Sequence, residues 1–203
     1  RAVSLAKRRQ LPGPGGVGCR QRQVVDGGAG LDDRAGPVPL RVGVVGHQAD
    51  AGPERPQQRQ VRTGDHVVSS KALFGSCRWI VDNLLPRYGV EVTLVDGRDL
   101  AAWEKAFRKN TKVVFLESPA NPTLDIVDIA AVCGMAKAQG TKGGGAKVVV
   151  DNVFATPLLQ QPLALGADIV AYSTTKHIDG QGRCLGGVIL CSDEFLKEPL
   201  LPY

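Results

Sequence analysis

The chain has 203 residues, 43% of them hydrophobic, and a formal net charge of +5 at pH 7. That length suits one sizeable core, and no run is long and apolar enough to span a bilayer as a helix. The five cysteines (Cys19, Cys77, Cys133, Cys184 and Cys191) are an odd number without paired CxxC spacing, which argues against a zinc site. With no secretory leader pattern, free thiols in a reduced, cytoplasmic setting are expected.

The charge is concentrated at one end. Residues 1–65 hold 11 Lys/Arg against 6 Asp/Glu, which leaves 14 of each for residues 66–203. Residues 1–62 contain no Ile, Phe, Tyr, Trp or Met and are crowded with Gly, Pro, Arg and Gln. Such a composition does not repay the entropy of ordering, so disorder is expected there, with Val42-Gly43-Val44-Val45 as a candidate strand. A nucleic-acid-binding tail is the rival for this segment. It is disfavoured because the segment offers no aromatic ring for stacking and its arginines are interleaved with acids.

From Gly64 an alternating pattern sets in. Residues 66–69 read as a strand. Residues 73–85 read as a helix with Phe74, Cys77, Ile80, Val81, Leu84 and Leu85 near one side and Pro86 as its stop. A strand follows over residues 91–95, and Asp99 then caps a helix carrying Leu100, Trp103 and Phe107. Residues 113–116 form the next strand, leading into Glu117-Ser118-Pro119-Ala120-Asn121-Pro122, a loop stiffened by its prolines. Residues 126–138 read as a helix with Ile126, Ile129, Ala130 and Cys133 on one face. The glycine-rich run over residues 139–147 precedes a strand, whereas phosphate-cradling loops follow one, so it reads as a flexible insertion. This alternation of strands and helices predicts an α/β fold, a mostly parallel sheet covered by helices.

The chemistry concentrates further on. Val148-Val149-Val150-Asp151-Asn152 is an apolar, β-branched run ending in an acid. Asp168-Ile169-Val170-Ala171-Tyr172 is a second run, leading into Ser173-Thr174-Thr175-Lys176-His177. A carboxylate at one strand end and a hydroxyl-flanked lysine at the next suit the crevice at the edge of an α/β sheet. A lysine amine with a separate carboxylate suits imine chemistry, in which the amine joins a carbonyl and the acid keeps a ring nitrogen protonated. Read alone, a lysine placed as Lys176 is usually a solvated charge, and Asp151 also reads as a helix cap. His177 and Lys176 are neighbours that point in different directions, so His177 is expected to lie outside the reacting centre or in solvent. No metal-like spacing of histidines and acids is present, and none is expected to act.

Four blocks carry a resemblance: GDHVVSSKALFGS (Gly64 to Ser76), FLESPANPTLDIVDI (Phe115 to Ile129), VVVDNVFATPLLQQPLALGADIV (Val148 to Val170) and STTKHIDGQGRCLGG (Ser173 to Gly187). In this order they resemble the large domain of the pyridoxal-phosphate enzymes of cysteine and methionine metabolism. That is the family of cystathionine synthases and lyases, methionine lyases and homoserine sulfhydrylases. The IDGQGRCLGG wording is most similar to its O-succinylhomoserine sulfhydrylase branch.

The resemblance implies an aspartate-aminotransferase-like large domain of fold type I, truncated, with pyridoxal 5'-phosphate as cofactor. Residues 63–203 would be part of that domain, and the smaller C-terminal domain, with its arginine for the substrate carboxylate, would be absent. It implies Lys176 as the imine-forming lysine and general base, Asp151 at the pyridinium nitrogen, and Ser173 and Thr175 at the phosphate. Asn121 would lie near the phenolic oxygen and the substrate carboxylate. Phe74 stands where the family stacks a tyrosine on the ring, keeping the apolar face but losing the hydroxyl. Arg183 is expected at the site, at a subunit contact or on the surface.

The implied reaction is γ-replacement on an activated homoserine, O-succinylhomoserine plus sulfide giving homocysteine. Cystathionine γ-synthase, cystathionine γ-lyase and methionine γ-lyase activities are the alternatives within the family. The implied partners are a small amino-acid substrate and further copies of the chain in a dimer or tetramer, with no nucleic acid and no membrane. The family's phosphate-binding helix start has no counterpart in residues 1–62, where an upstream segment read in another frame is the expectation. The rivals of another class are a non-catalytic fragment that inherits Asp151 and Lys176 without using them, and a basic interaction module built on residues 1–62.

Overall fold

The computed structural model describes residues 24–26, 41–43, 61–139 and 145–196. The sheet is ordered β1-β2-β8-β7-β6-β5-β3-β4. Its parallel part is β4 (Glu91–Val95), β3 (His66–Ser70), β5 (Thr111–Glu117), β6 (Lys147–Asp151) and β7 (Ile169–Ser173). β8 (Gly187–Cys191) returns antiparallel to β7. Beyond it lie two short antiparallel strands, β2 (Arg41–Gly43) and β1 (Val24–Asp26). The candidate strand around Val42 therefore forms in part, and β1 is a strand that composition did not announce. The disorder expected for the rest of residues 1–60 lies outside the described residues.

Strand alternation divides the side chains between two faces. Val68, Val114, Leu116, Val148, Val150, Val170 and Tyr172 join one core with Trp103 of α3 (Leu100–Ala106) and with Ile129, Val132, Cys133 and Ala136 of α4 (Ile129–Ala138). The opposite face carries Val67, Val113, Phe115, Val149 and Ile169. With Cys77, Ile80, Val81 and Leu85 these line an apolar groove of about 340 Å³. Phe195 and Leu196 cover the β7–β8 end of that face.

Asp99 caps α3 as expected, accepting N–H bonds from Ala101 and Ala102 at 3.0 and 3.1 Å. α4 begins at Ile129 rather than at 126, because Asp128 takes the cap position and accepts the Ala131 N–H at 2.9 Å. That corrects two assignments to its buried face. Ile126 precedes the helix and is exposed, and Ala130 faces solvent while Val132 and Ala136 turn inward.

The first helix also differs from expectation. It runs from α1 (Gly75–Trp79) through a π-helical turn (Ile80–Leu84) into α2 (Leu85–Arg87), so Pro86 sits inside its last turn. In that widened turn the Leu85 N–H reaches back five residues to the Ile80 carbonyl, one residue before the proline that has no N–H to offer. Tyr88 and Gly89 then close on the carbonyls of Leu85 and Pro86 at 3.0 Å. Gly89 ends the helix at φ +71°, where a Cβ would lie 2.6 Å from Cγ2 of Thr63. The insertion expected over residues 139–147 falls mostly on residues outside the described set.

Candidate active site

Parallel strands end at the same edge of a sheet, and the side chains of register partners project to the same face. Glu117 is the register partner of Asp151, and Asp151 is the partner of Ala171. Two carboxylates therefore stand at neighbouring strand ends on the groove face. Ser173 closes β7 on that same face, two residues beyond Ala171.

Glu117 is only 3% exposed. Its Oε2 accepts the Phe74 N–H at 2.5 Å and its Oε1 accepts the Asn121 N–H at 2.9 Å. Burial raises its pKa above the usual carboxylate range against the pull of those two donors, and the charge of Asp151 adds to the rise. Asp151 accepts the Val153 N–H at 3.0 Å through Oδ1, and burial raises its pKa as well. The Cys77 thiol of α1 is pushed up to about 11, first by burial and then by the charges of Asp151 and Glu117. α1 thus lies over both acids, and its thiol is kept protonated at neutral pH.

Behind the acids, Asn152 is fully buried. Its Nδ2 donates to the Tyr172 hydroxyl at 2.8 Å and to the Gln160 carbonyl at 2.9 Å. The Gln160 side chain donates in turn to Asn152 Oδ1 at 2.7 Å and to the Ser118 carbonyl at 2.6 Å. This network ties the ends of β5, β6 and β7 together, so the position of Asp151 is set from both flanks.

Phe74 is the N-cap residue of α1 and is about half exposed. Asn121 is partly buried and opens a cis Asn121–Pro122 step, following a cis Ser118–Pro119. Thr175 and Lys176 sit on a π-helical turn, Thr174–Ile178, that leaves the end of β7. Lys176 breaks that turn's helical backbone with φ −92° and ψ −117°. Its side chain is exposed, and no ion pair joins it to Asp151. His177 is exposed. Arg183 pairs with Asp179 on the same loop, Nε to Oδ1 at 3.8 Å, and its N–H donates to Oδ2 at 2.6 Å. Arg183 is exposed in the single chain.

The fold therefore brings Phe74, Asn121 and Asp151 together around Glu117, and brings Ser173, Thr175 and Lys176 to the next strand end. Glu117 is the residue that sequence reasoning passed over. Its signal was present, since Val113-Val114-Phe115-Leu116-Glu117 is an apolar run ending in an acid, as the run ending in Asp151 is. Asn152 and Gln160 carried no comparable signal, because beyond each other their partners, Tyr172 and Ser118, come from the ends of neighbouring strands. Among the described residues, no cluster has the make-up of a metal site, and no helix is long and apolar enough to cross a membrane.

Residues 57–201 match the family model for Cys/Met metabolism PLP-dependent enzymes. An O-succinylhomoserine sulfhydrylase of Mycobacterium tuberculosis is 54% identical over 137 residues, which cover 68% of this chain and 32% of that protein. An L-methionine gamma-lyase of Porphyromonas gingivalis is 46% identical over 138 residues, covering 68% and 34%. A solved cystathionine gamma-lyase of Lactobacillus plantarum, complexed with L-serine, superposes with a TM-score of 0.64 at 36% identity, covering 69% of this chain and 35% of that one. The chain spans about a third of the length of the relatives it matches.

Proposed function

The chain belongs to the Cys/Met metabolism PLP-dependent enzyme family, and we propose on that premise that residues 63–203 form part of the cofactor-binding large domain of a γ-replacing enzyme. Its substrate class is a small amino acid, an activated homoserine. Similarity to O-succinylhomoserine sulfhydrylases supports O-succinylhomoserine and sulfide as reactants, with homocysteine and succinate as products. The observation that carries this reading is that Asp151 closes β6 beside the strand leading into Ser173, Thr175 and Lys176.

The donor set fits the cofactor: a buried carboxylate for a ring nitrogen, a primary amine for an aldehyde, and two hydroxyls for a phosphate. When bound, pyridoxal phosphate supplies an electron sink for negative charge at the substrate α-carbon. Asp151, held where burial disfavours an unpaired charge, favours a protonated nitrogen beside it. Ser173 and Thr175 would hold the phosphate through their hydroxyls. Lys176, exposed on the turn that leaves β7, would take the proton from the α-carbon. Phe74 offers an apolar stacking face and moves no proton, and the Asn121 amide orients the substrate carboxylate.

The second reading is γ-elimination, favoured by the similarity to an L-methionine gamma-lyase. It uses the same α-proton transfer and differs in what leaves and enters at the γ-carbon. Both readings include a cytoplasmic setting and assembly with further copies of the chain.

The test is the visible absorbance of the purified chain mixed with pyridoxal phosphate, beside Lys176→Ala, followed by borohydride reduction and peptide mapping. A band absent from the variant, with the reduced label on Lys176, is the expected result. A folded chain with neither band nor label overturns the reading.

A further inference from the structure

We propose that Glu117 is a positioning residue. It braces the segments that carry Phe74 and Asn121 at a fixed spacing from the Asp151 carboxylate. The proposal rests on the reading of those three residues as cofactor contacts, and it adds to them a residue that touches neither cofactor nor substrate.

The geometry is specific. Each carboxylate oxygen of Glu117 serves a different segment, Oε2 the backbone N–H where α1 begins and Oε1 the backbone N–H of the Asn121–Pro122 step. Those segments have no strand of their own at this edge. The N-cap of α1 has no side-chain cap bond. The Glu117 carboxylate thus takes the place of the N3 side chain of a capping box, accepting the N–H of the N-cap residue Phe74 from a strand far away in sequence. It also stands beside Asp151 in the strand register, so the spacing among the three contacts is set from one rigid sheet position.

Only a carboxylate does this. It offers an acceptor at both oxygens, while a glutamine of the same size offers one acceptor and turns an NH₂ group toward the second N–H. Aspartate is one methylene shorter and does not span both donors. A structural role in stability alone predicts no link between this residue and cofactor uptake.

Backbone amide exchange followed by NMR on the full chain, for Glu117→Ala and Glu117→Gln, separates these cases when paired with titration by pyridoxal phosphate. In Glu117→Gln the volume is kept, and one of the two amides, Phe74 or Asn121, is expected to exchange about tenfold faster while Val114 in β5 is unchanged. In Glu117→Ala both amides accelerate, and pyridoxal phosphate affinity falls about tenfold in either variant, with a shifted absorbance maximum. Unchanged exchange at both amides overturns the brace. Faster exchange with unchanged affinity and spectrum overturns the positioning role and leaves a structural one. Should the wild-type chain take up no pyridoxal phosphate, the cofactor reading falls and with it the positioning role, while the amides still report whether the brace exists.

Discussion

Glu117 and Asp151 are register partners on adjacent parallel strands, so two acids with raised pKa values end side by side at one sheet edge. Natural sheets do not place two acids together in a partly desolvated position for stability. The arrangement favours a protonated or cationic group arriving between the strand ends and α1.

Asp151→Asn therefore separates stability from ligand uptake. A folded state that raises a carboxyl pKa holds more protons than the unfolded chain. This contribution to stability is fully present below the unfolded value and is lost as pH rises through the folded one. The amide removes that loss, so urea unfolding at pH 7 is expected to show a variant at least as stable as the wild type. Its pyridoxal phosphate uptake, read by absorbance, falls by about tenfold or more. A variant less stable at pH 7, with uptake intact, refutes the assignment.

His66 predicts the opposite sign. It is fully buried, with Nδ1 2.8 Å from the Thr111 hydroxyl and Nε2 2.8 Å from that of Thr93. Burial lowers its pKa, and the Arg108 charge lowers it further. The unfolded chain then binds more protons, so this contribution to stability falls as pH drops through the ordinary histidine value of about 6.5 toward the folded one. Between about pH 7.5 and 5 the unfolding free energy of His66→Gln is expected to rise relative to that of the wild type as the pH falls.

Trp103 anchors the other face of the sheet. It is fully buried, and its Nε1 donates to the Gly97 carbonyl at 3.0 Å. Trp103→Ala is expected to cost about 3–5 kcal/mol in denaturant unfolding. Trp103→Phe, which loses the indole N–H and part of the volume, costs about 1–3 kcal/mol.

Cys77 is expected to resist alkylation. With its thiol pushed up to about 11, well under about 1% is thiolate at pH 7.5. Iodoacetamide followed by peptide mapping should modify the exposed Cys184 well before Cys77. Asp151→Asn removes one of the charges that raise Cys77 and should speed its labelling.

The strands that hold the site were legible because each is a β-branched run closed by a polar residue, and the acid at the end of β6 stood out for that reason. Glu117 did not, because the prolines after it drew the reading toward a loop, while its role depends on N–H groups at Phe74 and Asn121 that only the folded chain delivers. Helix boundaries moved for local reasons. The Asp128 cap displaced the start of α4, and a π-helical turn let the chain pass through Pro86. Buried networks such as Asn152–Gln160–Tyr172 have no periodic signature, since they join a loop residue to residues at the ends of two strands.

The antiparallel return of β8 has a consequence for how this edge of the molecule can change over time. Ser173 pairs with Gly187, and the Thr174 N–H closes on the Gly186 carbonyl at 2.9 Å, so the loop bearing Lys176 leaves and re-enters the sheet at one point. Changes of length at the tip of that loop, between Gly180 and Leu185, leave the ladder in register, because its pairs lie outside the tip. The stem below that tip is bound to the lysine's own turn, since the Asp179 and Gly180 N–H groups close on the Thr174 and Lys176 carbonyls at 3.0 and 2.8 Å, so drift that reaches them moves the lysine itself.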